Sequence, residues 1–293
     1  MKITLTAPAK LNLYLDITDK RDDGYHNIKS VMHKISLCDF VSVKIDRAIE
    51  TAITVTCSDP SVPDGKDNIA YKAAELFLNN FIHAPQKVDI TIKKNIPSAA
   101  GLGGGSSDAA AVLIAMNQLF GGHRSKEQLS KIAVQLGADV PFCLYSSPMI
   151  TEGVGEKLSR TYCLPPCTVL IANSGESVST SKAYSELDEI YNDFKASSFD
   201  PKRFEALNKA LMEKDLCKIS DNMYNIFEEP ILNKCPLARK AKNIMNSNGA
   251  NAAMMSGSGP TVFGFFEDDS SANKAAEELN SLGYYTSVCV PVV

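Results

Sequence analysis

Between Pro97 and Ala111 the chain reads PSAAGLGGGSSDAAA, and no other stretch limits its possible folds and chemistries as tightly. Four of the five residues Gly101–Gly105 are glycine. Glycine reaches positive φ at no steric cost and lets a ligand approach the main chain, but in a turn it adds chain entropy that folding must overcome. The run follows a strand-like stretch, Val88–Ile92, and leads into Ser106–Phe120, whose apolar character predicts a helix. A helix start presents unpaired N–H groups and the positive end of the macrodipole. A loop of bare N–H groups at that point is an anion site suited to phosphate. Ser106, Ser107 and Asp108 bring hydroxyls and a carboxylate to positions where helix caps and magnesium ligands belong.

Other glycine motifs fit poorly. A Walker loop needs Lys and Ser or Thr after its last glycine, and none follows here. A dinucleotide fingerprint needs a third Gly or Ala where Ser106 stands, and it sits at the first strand–helix turn of its fold. The G-x-S-x-G elbow and the paired H-R-D and D-F-G signatures of protein kinases are absent.

Composition narrows the class. The 293 residues suggest two domains or one large one, with 44% hydrophobic and 22% charged residues, a globular mix. A formal net charge of −4 gives no broad basic surface, so nucleic acid is not an expected partner, although one local basic pocket for phosphate is compatible with it. The densest apolar run, Ala109–Met116, is far too short to span a membrane, and Pro8 and Lys10 interrupt any signal-like segment. The expectation is a cytoplasmic chain without membrane attachment. Eight cysteines without a C-x-x-C pair read as buried reduced thiols rather than a disulfide framework or zinc site. Oligomeric state is not legible.

Along the chain, Leu11, Leu13, Leu15 and Ile17 alternate with Lys10, Asn12, Tyr14 and Asp16, as in a strand, before a turn at Asp23-Gly24. Val31–Leu37 and Phe40–Ile45 read as two strands broken at Cys38-Asp39. Asn68–Phe81 and Glu127–Leu136 have helical spacing, the second with Gly137 in a C-terminal cap position. The Ser-, Gly- and Pro-containing segment 146–165 reads as a boundary, giving lobes 1–153 and 154–293. Beyond it, Cys167–Ala172, Thr261–Phe266 and Tyr284–Val290 read as strands, and Pro201–Lys214, Ala238–Ser247 and Ala272–Leu282 as helices. Interleaved strands and helices place the chain in the α/β or α+β class.

PSAAGLGGGSS, APAKLNLYLDITDKRDDGYHNI near the N-terminus and MMSGSGPTVFGFF at 254–266 occur in the order found in the GHMP kinases, and the chain resembles that family of small-molecule kinases over nearly its whole length. The match is weakest over 176–250. The resemblance implies an α+β, two-lobed architecture with mixed sheets and helices and the active site in the cleft between the lobes. It implies ATP and Mg²⁺ as cofactors. PAKLNL, DGYH, LGADVPF at 136–142 and EGVGE at 152–156 further match the members of the family that act on cytidine diphosphate-linked methylerythritol, whose 2-hydroxyl would be the phosphoryl acceptor. Open alternatives are a kinase of the same family acting on another small alcohol, such as homoserine or mevalonate, a non-catalytic nucleotide-binding regulator, and a dinucleotide-dependent oxidoreductase, the last disfavoured by the loop pattern.

By the same resemblance, Pro97, Ala99, Ala100, Gly101, Leu102, Gly103, Gly104, Gly105, Ser106 and Ser107 hold the triphosphate, with Ser107 the hydroxyl ligand of the metal. Asn68 lies near the adenine, with Lys93 or Lys94 close by, although Asn68 reads equally as a helix cap. Asp139, by itself an ordinary loop aspartate, becomes the general base that takes the acceptor's proton. Lys10, by itself a solvated lysine, becomes its partner, offsetting negative charge on the acceptor oxygen and keeping Asp139 ionised. Asn12 shares its strand face and is assigned to the substrate. Tyr25 and Tyr184 would stack on the cytosine and His26 hydrogen-bond to it, Thr180 would meet the diphosphate, and Gly257, Ser258 and Gly259 would line a second turn near the substrate. From the residues alone, Tyr25 reads equally as an aromatic packed under a hairpin, and the second turn as one that merely leads into a strand.

Overall fold

The structure is a computed structural model and describes residues 1–191, 194 and 199–292. Its elements run β1 (Lys2–Lys20), β2 (His26–Arg47), β3 (Ala52–Cys57), α1 (Ile69–Phe81), β4 (Gln86–Lys93), α2 (Gly104–Leu119), α3 (Lys126–Ala133), α4 (Val140–Cys143), β5 (Met149–Gly153) and β6 (Lys157–Arg160). They continue with β7 (Thr168–Asn173), α5 (Thr180–Ile190), α6 (Pro201–Glu213), α7 (Leu216–Asn222), β8 (Tyr224–Asn225), α8 (Glu228–Lys234), α9 (Pro236–Ser247), β9 (Ala252–Met255), β10 (Val262–Phe266), α10 (Asp269–Ser281) and β11 (Tyr285–Cys289). Sheets of mixed pairing alternate with helices, as the α+β expectation requires. No described helix is long and apolar enough to cross a membrane.

The chain folds into two compact units that do not divide it at a single point. One comprises Met1–Ala9, Leu37–Ser98 and Gly103–Ser146; the other comprises Lys10–Ser36, Ala99–Leu102 and the chain from Ser147 onward. The long strands β1 and β2 contribute residues to both.

In the first unit, β4 is the centre of a sheet. It pairs antiparallel with the second half of β2, from Phe40↔Lys93 to Arg47↔Gln86, and parallel with β3, from Ala52↔Lys87 to Cys57↔Ile92. Val41, Val43, Ile45, Val88, Ile90 and Ile92 alternate along β2 and β4 and are all buried, the period-two pattern of a half-covered sheet. Helix α1 packs on α2 and on this sheet. Ala70, Ala73, Ala74, Phe77 and Leu78 form the buried stripe of α1, while α2 is buried from Ser107 through Leu113 without interruption. A helix apolar on all sides belongs inside a domain, which accounts for the AAAVLIAM run.

The expected break at Cys38-Asp39 does not occur: β2 runs through it. The fully buried Asp39 carboxylate accepts from the backbone N–H groups of Asn95, at 2.6 Å, and Ile96, at 2.9 Å, and from the Lys94 ammonium. Those donors offset the cost of burying the charge, so a polar residue that reads as a strand end sits within the strand. Helix α3 ends at Ala133, three residues short of the expected Leu136, and Gly137 is not its cap. Turns follow at Val134–Leu136, and Gly137 has no positive φ to serve as a left-handed cap.

In the second unit, the segment expected to be an irregular boundary is a hairpin. β5 pairs with β6 and also with the first half of β2, from Ile28↔Gly153 to Met32↔Met149. β8 adds in parallel to β1 at Tyr14↔Tyr224 and Leu15↔Asn225. A separate four-stranded sheet has the order β11-β7-β10-β9, all pairs antiparallel. β7 and β10 are buried along their whole length. Leu170, Val262, Phe266, Ile244, Met245, Ala275 and Leu279 join strands and helices α9 and α10 in one core. Each large side chain buried there stabilises the unit by about 1.5–3 kcal/mol before conformational entropy is counted. Helix α5, absent from the sequence-based assignment, places Ala183 and Leu187 in the same core, one helical turn apart.

Candidate active site

The glycine run divides between the units. Ala99, Ala100, Gly101 and Leu102 belong with Lys10, Asn12, Tyr25, His26, Thr180 and Tyr184; Gly103, Gly104, Gly105, Ser106 and Ser107 belong with Asn68, Pro97 and Asp139.

Gly101 has φ +74°, and a Cβ there would lie 2.3 Å from the Ser256 carbonyl oxygen and 3.1 Å from the Gly259 nitrogen. The expected second turn, Ser256–Gly259, therefore packs main chain against main chain on the glycine loop. Ser256 Oγ donates to the Gly101 carbonyl at 3.0 Å. Gly257, at φ +58°, has room for no side chain either: a Cβ would be 3.0 Å from the Gly101 oxygen and 3.0 Å from Lys10 Nζ. The Lys10 N–H donates to the Leu102 carbonyl at 2.9 Å. Glycine loop, second turn and Lys10 thus meet at van der Waals distance.

Lys10 is 4% exposed and far from a solvated lysine. Its Nζ donates to Asn12 Oδ1 at 2.6 Å, Asn12 Nδ2 donates to Ser30 Oγ at 2.8 Å, and Ser30 Oγ donates to the Tyr14 carbonyl at 2.6 Å. This relay fixes the ammonium, and Asn12 acts on it rather than standing beside it. Thr180 Oγ1 lies 2.9 Å from Ser258 Oγ, which brings the start of α5 to the same turn.

His26 is buried. Its Nε2 lies 2.6 Å from Asp188 Oδ1, and Lys20 Nζ is 3.0 Å from Asp188 Oδ2. An ionised carboxylate only accepts, so His26 carries its proton on Nε2 in this pair. Tyr184 stacks on the His26 ring with centroids 4.9 Å apart and planes at 29°. Tyr184 and Asp188, four residues apart on α5, therefore act on one imidazole from one helix face. Tyr25, next to His26 in the chain, is 66% exposed, not packed under the hairpin. Asp188 was missed because α5 was missed; the apolar positions Ala183 and Leu187 in TSKAYSELDEI were the available signal.

In the first unit, Gly103 (φ +66°) is the N-terminal cap residue of α2 and has no side chain with which to cap it. The first-turn N–H groups of α2 thus lack a side-chain cap. Gly105 is exposed and Ser107 buried. Asp108, one residue on, receives Lys94 Nζ on Oδ2 at 2.8 Å, while its buried Oδ1 has no hydrogen-bond partner among the described residues. Burial pushes the Asp108 carboxyl up to about 7, against the pull of Lys94 and with Asp39 adding to the rise. A Cβ on Gly104 would lie 3.2 Å from Lys94 Nζ, so the lysine stands directly under the start of α2. Lys93 is exposed on β4.

Asn68 is the N-terminal cap of α1: Oδ1 accepts from the Ala70 N–H at 2.8 Å and Nδ2 donates to the Pro63 carbonyl at 2.8 Å. Both ends of the side chain serve the local fold. Asp139 precedes α4, half-buried, with αR backbone and a side chain that does not cap the helix. Pro141 at the second helical position fixes the local direction of the chain. Pro97 is half-buried between Ile96 and the loop.

The family described as GHMP kinases N terminal domain matches residues 68–147, and that described as GHMP kinases C terminal matches residues 205–284. A 4-diphosphocytidyl-2-C-methyl-D-erythritol kinase of Caldicellulosiruptor bescii is 41% identical over 277 residues, covering 94% of this chain and 93% of the relative. One from Acetivibrio thermocellus is 41% identical over 281 residues, covering 95% of each. A crystal structure of a 4-(cytidine 5'-diphospho)-2C-methyl-D-erythritol kinase superposes with a TM-score of 0.77 at 30% identity, covering 99% of this chain and 100% of that one. A homoserine kinase structure from Cytophaga hutchinsonii, at 18% identity and a TM-score of 0.75, shares the fold. With two family domains in the expected order and relatives this similar from end to end, the chain belongs to the GHMP kinase family.

Proposed function

We propose that this protein transfers the γ-phosphoryl group of ATP to the 2-hydroxyl of 4-diphosphocytidyl-2-C-methyl-D-erythritol, a step in isoprenoid precursor synthesis. The near-full-length similarity to kinases of that name supports the substrate. The observation that carries the chemistry is the close approach of Gly101, Gly257 and Lys10: a Cβ on Gly257 would lie 3.0 Å from both the Gly101 oxygen and Lys10 Nζ.

In this reading the N–H groups from Gly101 to Ser107 hold the triphosphate. Lys10, held by Asn12, offsets charge on the acceptor oxygen, and Asp139 takes the hydroxyl proton. Phosphoryl transfer passes through a loose transition state, so alignment and charge carry most of the catalysis. Tyr25 offers an exposed ring face to the cytosine. His26, with its proton held on Nε2 by Asp188, offers Nδ1 as an acceptor when neutral. Thr180 and Ser258 offer hydroxyls to the diphosphate. The Ser107 hydroxyl and the unpartnered Oδ1 of Asp108 are hard oxygen donors of the kind Mg²⁺ takes. An ion held there would supply neutralisation of the charge on the phosphates.

The test is phosphorus NMR of the product formed from the cytidine substrate and ATP, with homoserine and mevalonate as competing acceptors. A new phosphomonoester on the cytidine compound alone is expected. Phosphorylation of either competitor at a comparable rate, or ATP binding without turnover on any acceptor, refutes the reading.

A further inference from the structure

Asn225 is 5% exposed and has every polar group committed. Nδ2 donates to the Met255 carbonyl at 2.7 Å and to the Gly257 carbonyl at 2.8 Å, and Oδ1 accepts from the Phe227 N–H at 3.0 Å. An asparagine side chain has two N–H donors, and both go to the second glycine turn. Glu228 completes the bracket: Oε1 accepts from the Met255 N–H at 2.8 Å while Lys242 holds Oε2 at 2.7 Å.

The bracket is anchored to the strand that carries Lys10. β8 pairs with β1 at Leu15↔Asn225, and the Ile226 N–H donates to the Leu15 carbonyl at 2.9 Å. Five residues earlier on β1 stands Lys10, whose Nζ would lie 3.0 Å from a Cβ at Gly257. A closed ring of contacts results: from Lys10 along β1 to Leu15, across to Asn225, through two hydrogen bonds to the Gly257 turn, and back to the ammonium.

We propose that Asn225 is a positioning residue for phosphoryl transfer: it fixes the Gly257 turn as the wall that sets where the Lys10 ammonium and the Gly101 carbonyl stand. The proposal rests on the reading of Lys10 given above. A side chain that only stabilised the unit would leave the turnover of folded enzyme untouched. One that places the wall beside Lys10 would not, because misplacement by about 1 Å at a reacting group costs on the order of a hundredfold in rate.

The experiment is a double-mutant cycle with Asn225→Ala and Lys10→Ala. Steady-state kinetics use the full chain, ATP and the cytidine substrate, at a temperature where circular dichroism shows every variant folded. Asn225→Ala should lower kcat about a hundredfold while KM for both substrates stays within about threefold. In the Lys10→Ala background, Asn225→Ala should cost no more than about a further threefold, because its effect passes through Lys10. Asn225→Ser keeps one donor; it should fall between parent and Asn225→Ala, and it carries the same cycle if the alanine variant does not fold. Equal losses in both backgrounds, or parent-like kcat in Asn225→Ala with Lys10→Ala impaired, overturn the proposal alone. Parent-like kcat in Lys10→Ala overturns the reading of Lys10 and this proposal with it.

Discussion

Replacing Gly101 by alanine tests whether the glycine loop is shaped by backbone conformation alone or also by the close approach of the second turn. Two costs add. At φ +74° an L-residue loses about 1–2 kcal/mol. The new methyl would also lie 2.3 Å from the Ser256 oxygen, with Gly259 N at 3.1 Å and Gly259 O at 3.2 Å. All three are main-chain atoms, so relief requires the turn to move by about 1 Å, at an overpacking cost of about 1–3 kcal/mol. That movement also strains the Ser256 Oγ hydrogen bond to Gly101, a contribution of about 1 kcal/mol. Together the loss is about 3–6 kcal/mol, a large share of the 5–15 kcal/mol stability typical of a folded chain. Gly24→Ala is the matched control: its φ is +83°, but nothing lies within 4 Å of the added methyl, so only the conformational cost applies. In thermal unfolding the control should lose about 2–8 °C and Gly101→Ala at least twice as much, at roughly 2–4 °C per kcal/mol. Gly101→Ala should also lose activity below its Tm, because the turn it displaces is the one beside Lys10. Equal Tm values for the two variants, with parent-like activity for Gly101→Ala, would refute the close approach.

Three further outcomes follow from the same geometry. Gly105→Ala meets only Ile69 Cγ2, at 3.6 Å, and stands in the first turn of α2, so Tm should hold or rise by helix propensity. A methyl on the phosphate-facing main chain should meanwhile raise KM for ATP about tenfold, or ~1.4 kcal/mol; an unchanged KM would remove Gly105 from the binding loop. Asp139→Asn should lower kcat by about 10²–10⁴ with KM little altered, and near-normal turnover would exclude it as the base. His33 is 1% exposed, and burial, with Lys214 adding to it, holds its imidazole down at about 3. The unfolded chain therefore binds a proton that the folded chain refuses between pH 6.5 and 3, and stability contributed by the neutral ring is present above 6.5 and lost as pH falls through that window. His33→Gln should flatten the acid limb of a urea-midpoint-against-pH curve, and superimposable parent and variant slopes below pH 6 would contradict the burial of a neutral ring. Asp108, held up at about 7, pulls the opposite way between about pH 4 and 7, but it is common to both proteins and cancels in the comparison.

What was legible in the chain had a local cause. The alternation of Leu11, Leu13, Leu15 and Ile17 gave β1, and the apolar stripes of α1 and α10 gave those helices nearly to their ends, because pattern and burial coincide there. The glycine loop was legible because positive φ has few residue solutions. Where partners come from distant segments, the reading failed. Asp39 looks like a strand break until Asn95 and Ile96 supply donors more than fifty residues away. The 146–165 segment looks like a linker until β2 offers an edge to pair with. Gly137 looks like a cap, but α3 stops earlier and the chain turns through Val134–Leu136. Asn225 carries no sequence signal at all: YNIFEE gives no sign that its amide will bracket a turn some thirty residues downstream.

The buried Asp39–Lys94–Asp108 group sets the charge beneath the loop proposed to hold the triphosphate. A carboxylate just behind the first turn of α2 would repel phosphate at those N–H groups. Here the ammonium of Lys94 stands between the two carboxylates, directly beneath Gly104. Burial lowers the Lys94 pKa, but the carboxylates of Asp108 and Asp39 more than offset it and hold the ammonium charged. Asp108 is pushed toward its neutral form in turn. The local charge beneath the loop is thus close to balanced, which lets Asp39 clamp the main chain at Asn95 and Ile96 without presenting a large net negative charge to the phosphates proposed to bind there. Gly104 suits that arrangement, since a Cβ there would lie 3.2 Å from Lys94 Nζ and 3.1 Å from Ile96 Cγ2, tighter than ordinary contact. The glycines of the run therefore answer to different constraints: Gly101 to the second turn, Gly104 to the buried lysine, and Gly105, exposed and with room for a methyl, to the ligand of the proposed phosphate site.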